Sequence, residues 1–130
     1  MIDVNNLKLK RNERDLQEFL LFCVFTNGKI TKKSHEISRK VHLLLKNESN
    51  PLEWIHNISS VNSKHNIDYL YEFLLEYSLP RNKKVISCLR DIHKIKNKLE
   101  KISDKELKSV YGIGKSISNL FISNNKLPND

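Results

Sequence analysis

Gly112, Gly114 and Lys115, near the end of the chain, have the types and spacing to hold an anion. They lie in Val110-Tyr111-Gly112-Ile113-Gly114-Lys115-Ser116, which contains two of the chain's three glycines. Glycine has no Cβ, so the backbone can reverse sharply and a ligand can come close to its amides. At the start of a helix the first N–H groups have no intrahelical partner and lie at the positive end of the dipole. A phosphate oxygen suits that place, and Lys115 adds a full charge beside it. The chemistry expected is an electrostatic grip on an anion by the backbone from Gly112 through Ile113 and Gly114 to Ser116, with Lys115. The plainer alternative is a tight helix–helix turn with one C-capping glycine.

Two short helices must position this turn. Ser103 with Glu106 is a capping-box pair, so a helix starts there, with Leu107 and Val110 on its apolar side. After the glycines, Ile117, Leu120 and Phe121 recur at i, i+3 and i+4, one face of a second helix. Five further helical segments come before the turn. Asp15 to Phe25 carries Leu16, Phe19, Leu20, Cys23 and Val24, a broad apolar face central to the core. Thr26-Asn27-Gly28 ends it, with Gly28 suited to a left-handed position. The next helix, capped by Thr31 or Ser34, runs to about Lys46 and has a basic outer face of Lys32, Lys33, Arg39 and Lys40. Asn50-Pro51-Leu52-Glu53 opens a short helix, and Ser59 to His65 is a loop. Asp68 to Tyr77 is another short helix, which Ser78-Leu79-Pro80 ends. From Arg81-Asn82-Lys83-Lys84 a long helix is expected to about Leu99, on the repeat Val85, Ile86, Leu89, Ile92, Ile95, Leu99. Basic residues oppose the dipole at a helix start, so this one suggests an external anion nearby. The expected fold is an all-α compact bundle of about seven helices in one domain over residues 1–130. Residues 1–13 and 124–130 are expected to be loose.

Composition limits the function. The chain has 130 residues and a net charge of +8, with a pI near 9.5. A small basic domain is drawn to polyanions, of which nucleic acid is the commonest. Surplus lysine that merely solvates the surface is the competing reading. No apolar run is long enough for a membrane span, and the polar start has no signal core. Cys23 and Cys88 sit in apolar helical runs and read as buried thiols of a reducing compartment. The expected location is therefore cytoplasmic, or nuclear in a eukaryote. The five histidines are scattered, so no metal site is assigned.

Together, these segments resemble the helix-hairpin-helix DNA glycosylase superfamily, in the lobe shared by endonuclease III and its relatives. Phe19 to Thr26 looks like that family's first buried helix and the loop after it. Tyr77 through Arg81, Asn82, Lys83, Lys84, Val85 and Ile86 resembles its aromatic, Arg/Asn-Lys and apolar segment. Val110 to Asn119 resembles its hairpin. The resemblance implies that Gly112, Ile113, Gly114, Lys115 and Ser116 grip a phosphate of double-stranded DNA, often with an alkali ion, aided by Arg81, Lys83 and Lys84. It places Asn27 and Lys29 where relatives wedge the duplex as a base flips out. It implies no other cofactor.

The catalytic inventory departs from the family. Ser116 stands where lyase members carry a nucleophilic lysine. Monofunctional members need an aspartate beyond the hairpin helix, and Asp130 is the only acidic residue downstream of Gly114. The second lobe that completes the family's DNA cleft is absent from this sequence, so a partner protein could supply it. Three readings compete: a DNA-backbone binder, a minimal monofunctional glycosylase using Asp130, and a protein-interaction module derived from the same fold.

Overall fold

The computed structural model describes residues 1–59, 68–95 and 99–125. Its axis is α1, Glu13–Phe25, started by Asn12, whose side chain accepts the Asp15 N–H. Every residue of α1 from Leu16 to Phe25 is buried. The broad face expected from sequence is in fact the whole circumference, which is the mark of a helix surrounded by its neighbours. Gln17 is tolerated inside because its side-chain oxygen accepts the Leu52 N–H at 2.9 Å.

Six more α-helices surround it among the described residues, and no strand occurs among them. They are α2 Ser34–Leu45, α3 Pro51–Ile58, α4 Tyr69–Glu76, α5 Lys83–Asp91, α6 Asp104–Lys108 and α7 Lys115–Asn125. The described residues thus form an all-α assembly of seven α-helices, as the periodicity predicts. Trp54 of α3 meets Phe73 of α4 edge-on at 5.3 Å, so these aromatics serve packing. Phe121 of α7 stacks on Phe19 of α1 at 5.8 Å. The helix starts follow their caps: Asn50, Asp68 and Asn82 each accept an N–H of the first turn. The capping box of Ser103 and Glu106 is formed in both directions. Helix α2 differs, because neither Thr31 nor Ser34 caps it. Lys33 holds the cap position, while the Thr31 hydroxyl takes the Lys33 N–H and Ser34 is buried. The basic face of α2 is partly self-neutralised, with Arg39 and Lys40 both paired to Glu36.

The long helix expected to Leu99 is not observed. Helix α5 stops at Asp91, and tighter 3-10 turns follow at Ile92–Lys94 and Leu99–Lys101. The apolar spacing persists across the break, but tertiary bonds compete with the helix. The Asp91 carboxylate accepts the Tyr111 N–H at 2.8 Å. The Leu99 N–H donates to Glu13 at 3.1 Å rather than to a carbonyl one turn back. The segment expected as a loose lead-in has no helix, yet it docks on the core. Ile2 is buried, its carbonyl accepts the Ser38 hydroxyl, and Arg11 lies 3.9 Å over the Phe19 ring. The expected loop at 59–65 and the loose tail fall largely outside the described residues.

The end of α1 sets the position of α7. Cys23 O accepts the Gly28 N–H at 2.9 Å, closing the helix with Asn27 and Gly28 at φ +56° and +74°. Gly28 then lies against the first turn of α7. A Cβ there would sit 2.3 Å from the Ser116 carbonyl carbon and 2.5 Å from the Ile117 nitrogen. Helices α1 and α7 therefore run antiparallel, and the loop after α1 forms one wall beside the start of α7.

Candidate nucleic-acid interface

At the start of α7 lies an open recess of about 220 Å³. Its lining comes from three separate stretches: Asn27 and Lys29 after α1, Lys84 in the first turn of α5, and Gly114 to Ile117 at the hairpin. Three lysines thus converge on one helix start, and among the described residues no carboxylate lines the recess. Lys84 Nζ donates to Asn27 Oδ1 at 3.2 Å, which ties the α5 start to the loop after α1. The carbonyl of Gly114 accepts the Ser118 N–H at 3.1 Å, so α7 begins here. Among the described residues nothing accepts from the N–H groups of Lys115, Ser116 or Ile117.

The two hairpin glycines do different jobs. Gly112 has φ +85° and its bare side faces α5: a Cβ there would lie 3.0 Å from the Cys88 Cβ and 3.4 Å from the Lys84 carbonyl oxygen. It serves the turn and the close packing of the hairpin on α5. Gly114 has no neighbour within 4 Å of a built Cβ and opens to solvent. Ile113 between them is 4% exposed and belongs to the core, leaving only its backbone for an outside ligand. The approach open to an anion is thus the Gly114–Lys115–Ser116 side.

The other expected contacts are distributed unevenly. Arg81 turns away from the recess, donating to Leu79 O at 3.2 Å with its guanidinium 5.9 Å from the Tyr71 ring. Lys83 is exposed at the start of α5 and does not line the recess. Asp130 lies outside the described residues. Asp91, which anchors the hairpin through Tyr111, went unnoticed in the sequence. So did the Gly28 contact with α7, since neither position carries a local signal of a partner so far along the chain.

A second cleft, of about 120 Å³, adjoins the recess and shares Asn27, Lys84 and Ile117 with it. Val24, Phe25, Pro80, Val85 and Cys88 make the rest of it mostly apolar. Burial pushes the Cys88 thiol up to about 12, with the nearby Asp91 charge adding to the shift, so it stays protonated at neutral pH. Cys23 is fully buried and its thiol is pushed further in the same direction by desolvation. Among the described residues no group of three or more His, Cys, Asp or Glu side chains is placed to hold a metal ion. No helix among them is long and apolar enough to cross a membrane.

The hairpin is braced by one exposed carboxylate. The Ser118 hydroxyl donates to Asp104 Oδ1, and Lys108 reaches Asp104 Oδ2 at 2.9 Å. These two contacts, the serine first, hold the Asp104 carboxyl below its ordinary 3.8. A depressed folded value means the brace contributes above pH 3.8 and is lost as pH falls through the folded value. Asp104→Asn is expected to lower Tm at pH 7. The gap from the parent should close at the acid end of a Tm-versus-pH series, and a constant gap would refute the link.

Compared with known proteins, the chain matches no family model, no curated protein and no solved structure.

Proposed function

We propose that the protein binds the backbone of double-stranded DNA, seating a phosphate in the recess at the start of α7. The observation that carries this reading is the convergence of Lys29, Lys84 and Lys115 on a helix start left open by Gly114. Two of these lysines stand in the first turns of α5 and α7, where their charge opposes the helix dipole. An external anion removes that conflict. Phosphate contacts of this kind position a duplex without reading its sequence. The grip needs only the chain's own amides and lysines, and the alkali ion implied by the resemblance would add to it.

Fluorescence anisotropy with a labelled random-sequence duplex tests the reading. Affinity should fall as salt rises, since each neutralised phosphate releases counterions. Gly114→Glu places a carboxylate in the open approach and is expected to weaken binding at least about tenfold, the equivalent of ~1.4 kcal/mol. Because Gly114 has no positive φ and no close neighbour, that variant should fold normally. Salt-insensitive binding, or a folded Gly114→Glu protein that binds as tightly as the parent, would sink the proposal.

The adjoining cleft favours a second, narrower reading as a glycosylase. At about 120 Å³ the cleft is smaller than the ~150 Å³ cavity that holds benzene, so without widening it receives only part of an extruded base beside the phosphate seat. Incubation with duplexes carrying damaged bases, followed by an assay for abasic sites, decides it. Product formation abolished by Asp130→Asn would assign the catalyst. Absence of product across the substrates leaves the binding reading alone.

A further inference from the structure

Helices α2, α5 and α7 all begin at the end of the molecule where α1 stops. Lys84 ties the start of α5 to Asn27, and Gly28 seats the start of α7. One buried side chain ties in the start of α2. The Ser34 hydroxyl accepts the Thr31 N–H at 2.8 Å and donates to the Lys29 carbonyl at 3.5 Å, and Ser34 itself is fully buried. The Lys33 N–H donates to the Thr31 hydroxyl at 3.2 Å. Residues 29–33 are thus folded into a compact loop. It holds Lys32 and Lys33 close to Lys29, which lines the recess.

The basic stripe of α2 is neutralised unevenly. Arg39 and Lys40, about two turns into the helix, share Glu36 as a counter-charge. Lys29, Lys32 and Lys33 are exposed, and no acidic residue occurs between Asn27 and His35. Among the described residues no carboxylate pairs with these three lysines. The half of the stripe nearest the recess is therefore the bare half. One seated phosphate answers Lys29, Lys84 and Lys115 but leaves Lys32 and Lys33 without a partner. Four residues of chain reach at most ~14 Å, and duplex DNA carries one charge per ~1.7 Å of axis. Within that reach, a duplex held at the recess presents several further phosphates.

We infer that the duplex lies across the loop at 29–33 as well as the recess, and that Lys32 and Lys33 take phosphates beyond the one seated at α7. The inference rests on the nucleic-acid reading and adds a footprint to it. The partner is a stretch of duplex backbone, not a lone phosphate or a small anionic ligand.

Anisotropy titrations of the full chain with a labelled random-sequence duplex, repeated at several salt concentrations, test it. Each neutralised phosphate contributes about 0.9 to the slope of log K against log salt. Lys32→Ala and Lys33→Ala are each expected to reduce that slope by about one and to weaken binding several-fold. Lys46→Ala removes the same charge from the opposite end of the 12-residue α2, about 18 Å away, and is expected to leave the slope unchanged. All three side chains are exposed and Lys33 makes no side-chain cap bond, so each variant should keep the parent's Tm. Unchanged slopes in both Lys32→Ala and Lys33→Ala would overturn the inference. So would an equal drop in Lys46→Ala, which would report net charge alone. In either case the hairpin reading stands if Gly114→Glu still weakens binding. A parent protein that does not bind the duplex at low salt would overturn both.

Discussion

Gly28→Ala is expected to destabilise the protein by roughly 3 kcal/mol and to lower Tm by roughly 10 °C. Two costs combine. At φ +74° an alanine occupies the left-handed region, at a cost of about 1 kcal/mol. Its Cβ would also sit 2.3–2.5 Å from the Ser116–Ile117 peptide. That neighbour is backbone in the first turn of α7, so no rotamer change relieves the overlap and α7 must shift. Gly114 of the hairpin is the control. Gly114→Ala meets nothing within 4 Å and should change stability by less than about 1 kcal/mol. Urea midpoints of the two variants at equal slope test the contrast. The same shift would open the recess, so the folded fraction of Gly28→Ala should also bind duplex DNA less tightly. Equal midpoints for the two alanine variants would mean that α7 is not seated on the loop after α1.

That contrast marks how far the sequence could be read. Local signals were legible where local physics decides them: the capping box of Ser103 and Glu106, the cap of Asn50, and the left-handed Gly28 after α1. The periodicity of Leu16, Phe19, Leu20 and Cys23 marked α1 as central, although Leu21, Phe22 and Phe25 on the opposite side proved equally buried. What could not be read depends on partners distant in the chain. Helix α5 ends at Asp91 because that carboxylate serves Tyr111, twenty residues on, and because Glu13 takes the Leu99 N–H. The candidate recess was half legible. Gly114, Lys115, Lys84, Asn27 and Lys29 meet in one place, whereas Arg81 turns to Tyr71, since a flexible side chain has no register that fixes its direction. That Gly112 faces α5 while Gly114 faces solvent follows from tertiary packing, which the shared G-x-G pattern does not encode.

Arg14→Met is expected to cost about 3 kcal/mol, by removing the guanidinium from a carboxylate sealed in the core. Glu18 lies in α1 with its side chain 3% exposed, and Arg14 NH1 reaches its Oε1 at 2.6 Å. The same guanidinium donates to Leu45 O at 2.6 Å and to Glu48 O at 3.0 Å, carbonyls at and just beyond the end of α2. One planar fork thus neutralises a buried charge and satisfies acceptors that the α2 terminus leaves open. The His42 Nδ1 is 3.6 Å from Glu18 Oε2, beyond hydrogen-bond reach, and does not replace it. Lysine at 14 should recover only part of the loss, because one ammonium on a flexible stem cannot serve three acceptors in that geometry. Arg14→Met combined with Glu18→Leu should recover most of it, since an apolar pair of similar volume leaves no charge to desolvate. Urea unfolding of the parent, Arg14→Met, Glu18→Leu and the double variant forms a double-mutant cycle. The double variant should lose much less than the sum of the two single losses, whereas additive losses would show that Glu18 is stable in the core without its arginine. Duplex binding by the folded fraction should match the parent throughout, because Arg14 does not line the recess at the start of α7.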